Sequence, residues 1–356
     1  MSGKPMTSIG GDEAHFRAEG EPARCRVHRC FSMLAAGVAV ACAAGVPATA
    51  QQYPSKSLIM IVPFGAGGSS DTIARIVGEG MARVLGQSVI IENDGGAGGT
   101  TATTRAAQAA PDGYTIVMGN MGTHGSAPAQ YPNLRYAPAR DFTPIGLSAG
   151  VPLVIITRKE FPATDLRTFI DYVQKNPGKV TEGHAGVGSQ THAMCTMFLS
   201  LIDGSAARVA YRSTGQAVND LIGGQIDFSC AALTGVTPQI QSGTVKALAI
   251  ASRDRAVVVK DVPTTAEAGF PQFQVSAWNA LFAPKNLPGE ILAKLNRALI
   301  ATSQDDPIRK RLLDIGAELP SQAELTPQAL QALVERETAR WSSVLKAPGA
   351  GTKKEN

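Results

Sequence analysis

Aromatic residues are scarce in this chain, at 5% of 356, and charged residues make up only 17%. The net charge is +4, and no run of like charge occurs anywhere along the chain. That pattern describes a mixed solvated surface and excludes a nucleic-acid partner. Cysteine is also rare. Of five, Cys25, Cys30 and Cys42 fall within the first fifty residues, which leaves Cys195 and Cys230. Two cysteines cannot build a Cys-rich metal centre; they either pair or stay as buried thiols. After residue 50 no stretch reaches the ~18 apolar residues of a membrane-spanning helix, so a soluble mature protein is expected. Small residues and turn formers are plentiful instead, with 37 glycines and 22 prolines.

The first fifty residues read as an export signal. Arg24, Arg26 and Arg29 precede the apolar run 31–46, and Ala48-Thr49-Ala50 supplies a small-x-small cleavage site. Cleavage near Ala50 puts the mature chain outside the cytoplasmic membrane, in the periplasm. An uncleaved anchor is the weaker alternative. Cys42 follows Ala39-Val40-Ala41, a poor match to a lipoprotein signal. The tail 347–356 is rich in Gly and Lys and is expected to be disordered.

Between these ends, apolar runs alternate with helical patterns. Residues 58–63 (LIMIVP) are a continuous apolar strand of the kind buried in parallel sheets. Ile73, Ile76, Val77, Met81, Val84 and Leu85 follow at helical spacing, then a strand at Val89–Glu92. Further strands are expected at 114–118, 151–157, 209–211, 226–229, 245–251 and 277–284, with helices over 100–109, 165–175, 216–222, from Pro288, over 306–315 and over 326–345. Alternation of this kind predicts parallel sheets covered by helices. The length suggests two domains: 52–150 with 277–346, and 151–276. The chain would cross near Ala149–Pro152 and return near Ser276–Trp278.

Three loops share one design, an apolar strand, a Gly/Ser/Thr turn and a helix. They are PFGAGGSSD (63–71), GNMGTHGS (119–126) and HAGVGSQTH (184–192). In α/β sheets ligands bind at the carboxyl ends of strands. Free N–H groups and the dipole at a helix N-terminus attract an anion there. The loops carry no Lys or Arg. The lysine of a phosphate loop is missing, and no strict G-x-G-x-x-G is present, so no nucleotide and no cofactor is called for. Amides and hydroxyls suit a carboxylate. Gly146-Leu147-Ser148-Ala149-Gly150 matches a nucleophile elbow in letters, but Pro144 precedes it and a strand follows, so the context is wrong. His184 and His192 lack the H-E-x-x-H spacing of a zinc site. Neither a catalytic residue nor a metal ligand is assigned, and the chain does not read as an enzyme. His124 and His192 either line the pocket or bond locally. Trp278 is either a cleft wall or core, and Arg212 a ligand contact or a surface or hinge residue.

Taken in order, VPFGAGGSSD, NMGTHG, DFTPIGL, GVGSQTH, VAYRSTGQAVNDLIGGQIDF, SGTVKALAIAS, VPTTAEAGFPQF and SAWNALFAPK resemble the extracytoplasmic receptors of the tripartite tricarboxylate transporter family, also called the Bug family. The resemblance spans about residues 52–346. It implies a periplasmic-binding-protein (Venus flytrap) fold of two doubly wound α/β domains joined by crossing strands, closing on a small organic carboxylate. It also implies a monomeric receptor that delivers its ligand to two integral membrane transporter subunits. Such receptors take di- and tricarboxylates, acidic amino acids or aromatic acids. A sensor subunit presenting ligand to a membrane receptor, or a secreted hydrolase, are the alternatives. The residues carried over as ligand contacts are Phe64, Ala66, Gly67, Gly68, Ser69, Ser70 and Asp71 from the first loop, Thr123 and His124 from the second, and Gly188, Ser189, Thr191 and His192 from the third. Arg212 is added as the one cation near the rim. Two departures stand out. Ala210 and Ser213 replace a proline and a glycine of the family pattern, and Ala231-Ala232-Leu233 replaces a polar pair, which favours a partly apolar ligand.

Overall fold

Leu58–Val62 forms β1 and is buried at four of its five positions, as a strand covered on both faces must be. The helix after it, α1 (Ser69–Leu85), turns Ile73, Ile76, Val77, Met81 and Leu85 inward. Val84, expected on that face, is 51% exposed. Gly86 ends the helix in the left-handed conformation at φ 69°, which costs glycine no side-chain clash. β2 (Val89–Asn93) and β3 (Thr115–Asn120) pair with β1 in parallel, and α2 (Thr100–Ala107) connects them. The computed structural model describes residues 52–346. The export signal and the tail read from the sequence lie outside the described residues.

β4 runs from Phe142 to Arg158, 17 residues where seven were expected. Pro144, Gly146 and Gly150 look like breakers but are accommodated. The pairing with β9 (Ser276–Pro284) shifts register between Pro144 and Gly146 and again between Leu147 and Ala149. Bulges of this kind absorb residues that a regular ladder would reject. Gly150 is held by paired backbone bonds with Glu318. Ser148 therefore sits buried in mid-strand, donating to the Asn279 carbonyl at 2.7 Å. No helix follows it, as a nucleophile elbow would need.

Beyond Pro152, β4 leaves β9 and is flanked by β7 (Phe228–Ala232) and β8 (Val245–Ile250). β5 (Thr181–His184) and β6 (Ala207–Ala210) complete the sheet. The strand order is β2-β1-β3-β9-β4-β7-β5-β6, with β8 on β4. The sheet is mixed, not parallel throughout: β9 is antiparallel to β3 and β4, and β4 is antiparallel to β7 and β8. A strand that carries the chain from one section to another must enter the second section in the direction it left the first.

Helices cover the second section. α3 (Leu166–Lys175) starts in a capping box between Asp165 and Thr168. α4 (Gln190–Leu201) is tied to β7 by a disulfide between Cys195 and Cys230, both fully buried. α5 (Thr214–Ile222) is capped by Ser213. α6 (Gly289–Gln304), α7 (Asp306–Asp314) and α8 (Pro327–Lys346) close the chain, with Pro288 capping α6 one residue ahead of its first turn. Trp278 is core, 5% exposed.

Candidate functional site

The first glycine loop joins β1 to α1. Gly67 takes φ 78°, and its N–H donates to the Asp71 carboxylate at 2.9 Å. Arg75 and Asn93 donate to the same carboxylate, each at 2.9 Å, and Asn93 also reaches the Phe64 carbonyl at 3.1 Å. Burial alone would raise the Asp71 pKa, but the bonds from Arg75, Gly67 and Asn93 outweigh it and hold the carboxyl below its usual range. Asp71 thus organises the loop and has its acceptors engaged.

Ser70 is placed differently. Its hydroxyl oxygen accepts from the side-chain amides of Asn120 at 3.3 Å and Asn279 at 2.9 Å. Asn120 is fixed in that orientation, because its own Oδ1 accepts the Thr123 N–H at 3.1 Å. A serine has two lone pairs and one proton. With both lone pairs occupied, Ser70 has a single role left, as a donor.

In the second loop, Gly122–Ser126 forms one π-helical turn. Thr123 bonds the Asn120 backbone and, at 2.9 Å, the His124 ring. The His124 ring stacks on Phe282, centroids 3.9 Å apart and planes 10° apart, with Phe142 at 4.7 Å. The ring is fully buried, and burial lowers its pKa from 6.5 to about 3. Below pH 6.5 the unfolded chain therefore takes up a proton that the folded chain refuses until about pH 3, so stability falls as pH drops through that window. His124→Phe keeps the stack and removes the titration. Between pH 7 and pH 5.5 the wild type should lose about 1 kcal/mol more than this variant in denaturant melts; parallel losses would count against a neutral, buried His124.

The third loop joins β5 to α4. The Ser189 hydroxyl caps α4 by accepting the His192 N–H at 3.2 Å and sits 3.1 Å from the Thr191 hydroxyl, which accepts the Ala185 N–H at 3.1 Å. His192 points behind the loop. Its Nε2 accepts from Arg208 at 3.1 Å, and its ring lies 4.7 Å from that of His184. Burial, then His184 and Arg208, push its pKa down to about 3. His184 is pushed to about 4, chiefly by burial.

The N-termini of α1 and α4 meet at one cavity. Phe64, Gly68, Ser69, Ser70 and Asn120 line one side; Ala185, Ser189, Gln190, Thr191 and Thr214 line the other. No lining residue is charged. The space open to the centre of a water-sized body is about 10 Å³, room for about one water. The walls touch around it. Ser69 and Thr234 hydroxyls bond directly. Tyr131 donates to the Val187 carbonyl at 2.7 Å and Ser126 to the Gly188 carbonyl at 3.1 Å. Gly98 packs so closely that a Cβ there would lie 1.8 Å from the Val187 carbonyl oxygen. Ala66 and Gly67 face a second, larger hollow beside α5, with Gln216 and Asn219.

Residues 73–350 match the tripartite tricarboxylate transporter family receptor. The chain belongs to that family. MatC of Rhodopseudomonas palustris, solved with malate bound, is 42% identical, with a TM-score of 0.81 over 83% of this chain and 100% of MatC. A second R. palustris protein, solved with adipate, is 31% identical, with a TM-score of 0.79 over 83% of this chain and 97% of its own. BugT of Bordetella pertussis is 33% identical over 312 residues, 86% of this chain and 94% of BugT. The fold is that of the family's periplasmic binding proteins.

Against that family pattern, the sequence-derived contacts sort into groups. Phe64, Gly68, Ser69, Ser70, Ser189 and Thr191 line the cavity, and Ala66 and Gly67 the neighbouring hollow. Asp71, Thr123, His124 and His192 stand behind the loops they shape. Gly188 contributes its carbonyl to Ser126. The Arg212 side chain is exposed, while its carbonyl accepts the Gly65 N–H at 3.1 Å. Asn120, Ala185, Gln190 and Thr214 were missed, although Asn120, Ala185 and Gln190 lie inside the quoted loop motifs. Both departures resolve locally. Ser213 caps α5 in place of glycine. Ala231, Ala232 and Leu233 are buried in the core and absent from the cavity lining, so the argument for a partly apolar ligand loses its basis.

Proposed function

We propose that the protein is a periplasmic receptor that captures a small organic carboxylate and delivers it to the two membrane subunits of a tripartite transporter. Two lobes would do this, residues 52–150 with 277–346 and residues 151–276, hinged where β4 passes Pro152 and β9 begins at Ser276. The observation that carries the reading is the cavity itself, where two helix N-termini and a ring of hydroxyls and amides converge with no charged side chain. Such a site offers donors to an anion and no cation to a phosphate. The malate and adipate held by the two R. palustris relatives support the same chemistry. Because both walls would contact the ligand, binding would favour the closed arrangement over the open one.

The test is a thermal-shift screen of residues 51–356 against carboxylic acids and their amides. An acid at ~100 times its Kd should add ~2.7 kcal/mol, a rise of a few degrees. Equal shifts with acid and amide, or none at all, would sink the reading. Ser70→Ala should then weaken the best acid by about tenfold or more in calorimetry, since it removes the one donor that the asparagines leave free. An unchanged affinity would show that the Ser70 proton points elsewhere.

A further inference from the structure

Gln190 is the first residue of α4 and lines the cavity, yet it is only 4% exposed. Its Oε1 has no hydrogen-bond partner among the described residues. A buried carbonyl oxygen without a donor is costly, whereas the same oxygen facing a donor on a ligand is satisfied. Its neighbours in the lining are otherwise engaged. Ser189 and Thr191 bond each other and the loop backbone, and Ser70 can only donate. The cavity therefore has helix N-termini to receive a carboxylate, and one of its lining residues, Gln190, carries a buried acceptor without a partner.

We infer that Gln190 is a specificity residue that accepts a hydrogen bond from a hydroxyl near the ligand's carboxylate, so that the preferred ligands are hydroxycarboxylates and their deoxy counterparts are rejected. The inference rests on the carboxylate reading above and goes one step into it. A carboxylate alone satisfies the N–H groups and leaves Oε1 bare. A carboxylate with an adjacent hydroxyl satisfies both. Sites built to bond a substrate hydroxyl discriminate strongly against analogues lacking it, because the protein's own polar group is then buried unpaired.

The experiment is calorimetry with matched pairs: malate and succinate, citrate and tricarballylate, mandelate and phenylacetate. The tightest acid should be a hydroxy acid, bound at least tenfold more tightly than its deoxy partner. Gln190→Leu should erase that ratio by weakening the hydroxy acid while leaving or improving the deoxy acid; retained binding of the deoxy acid shows the variant is folded. If the tightest ligand lacks the hydroxyl, or if Gln190→Leu weakens both members equally, the inference is wrong and the carboxylate reading stands. If no acid of the thermal-shift screen binds, the carboxylate reading falls and takes the inference with it.

Discussion

Replacing Cys195 and Cys230 together by serine is expected to lower stability by about 4 kcal/mol, with the melting temperature falling by roughly 6–8 °C. The two are 35 residues apart, and opening a loop of that length returns about 4 kcal/mol of chain entropy to the unfolded state. Both sulfurs are buried between α4 and β7, so the serines add a further polar burial cost. Neither lines the cavity, and ligand affinity well below the melting temperature should hold. Identical melts for the wild type with and without reductant, and for the double variant, would remove the bond from the account. Thiol titration of the denatured, unreduced residues 51–356 should find no free thiol, because these are the only cysteines in that span.

Gly98→Ala should cut ligand affinity by about a hundredfold or more while leaving the protein folded. The new Cβ would lie 1.8 Å from the Val187 carbonyl oxygen, a separation no atoms sustain, so the walls could not meet as they do. Gly98 also sits at φ 61°, which alone costs an alanine about 1 kcal/mol or more. Gly224→Ala separates the two effects. Gly224 has φ 72° and open space around its Cβ position. It should lose similar stability with no loss of affinity. If both variants bind alike, contact between the walls is not part of ligand capture.

The first loop was legible in the sequence because a buried strand, a glycine turn and an amphipathic helix each leave a distinct period, and the three signals coincide at one place. The first half of β4 was not, because Pro144, Gly146 and Gly150 carry breaker signals that two register shifts absorb. The roles of side chains within the loops were least legible. His124 and Asn120 stand four residues apart in one motif, yet one ring stacks on Phe282, about 160 residues away, and the other's amide reaches Ser70. Spacing along the chain does not encode which way a side chain turns when its partner lies in another element. The disulfide was open for a related reason, since pairing depends on α4 lying against β7.

The position of β9 sets an order of events for the newborn chain. It lies between β3 and β4 in the sheet, though its start at Ser276 comes 156 positions after the end of β3 at Asn120. Until that late strand arrives, β3 and β4 each expose an unpaired edge, and the section that begins the protein cannot close. The first half to be made is therefore among the last to finish. A chain that stays open so long needs protection from edge-to-edge association in the meantime.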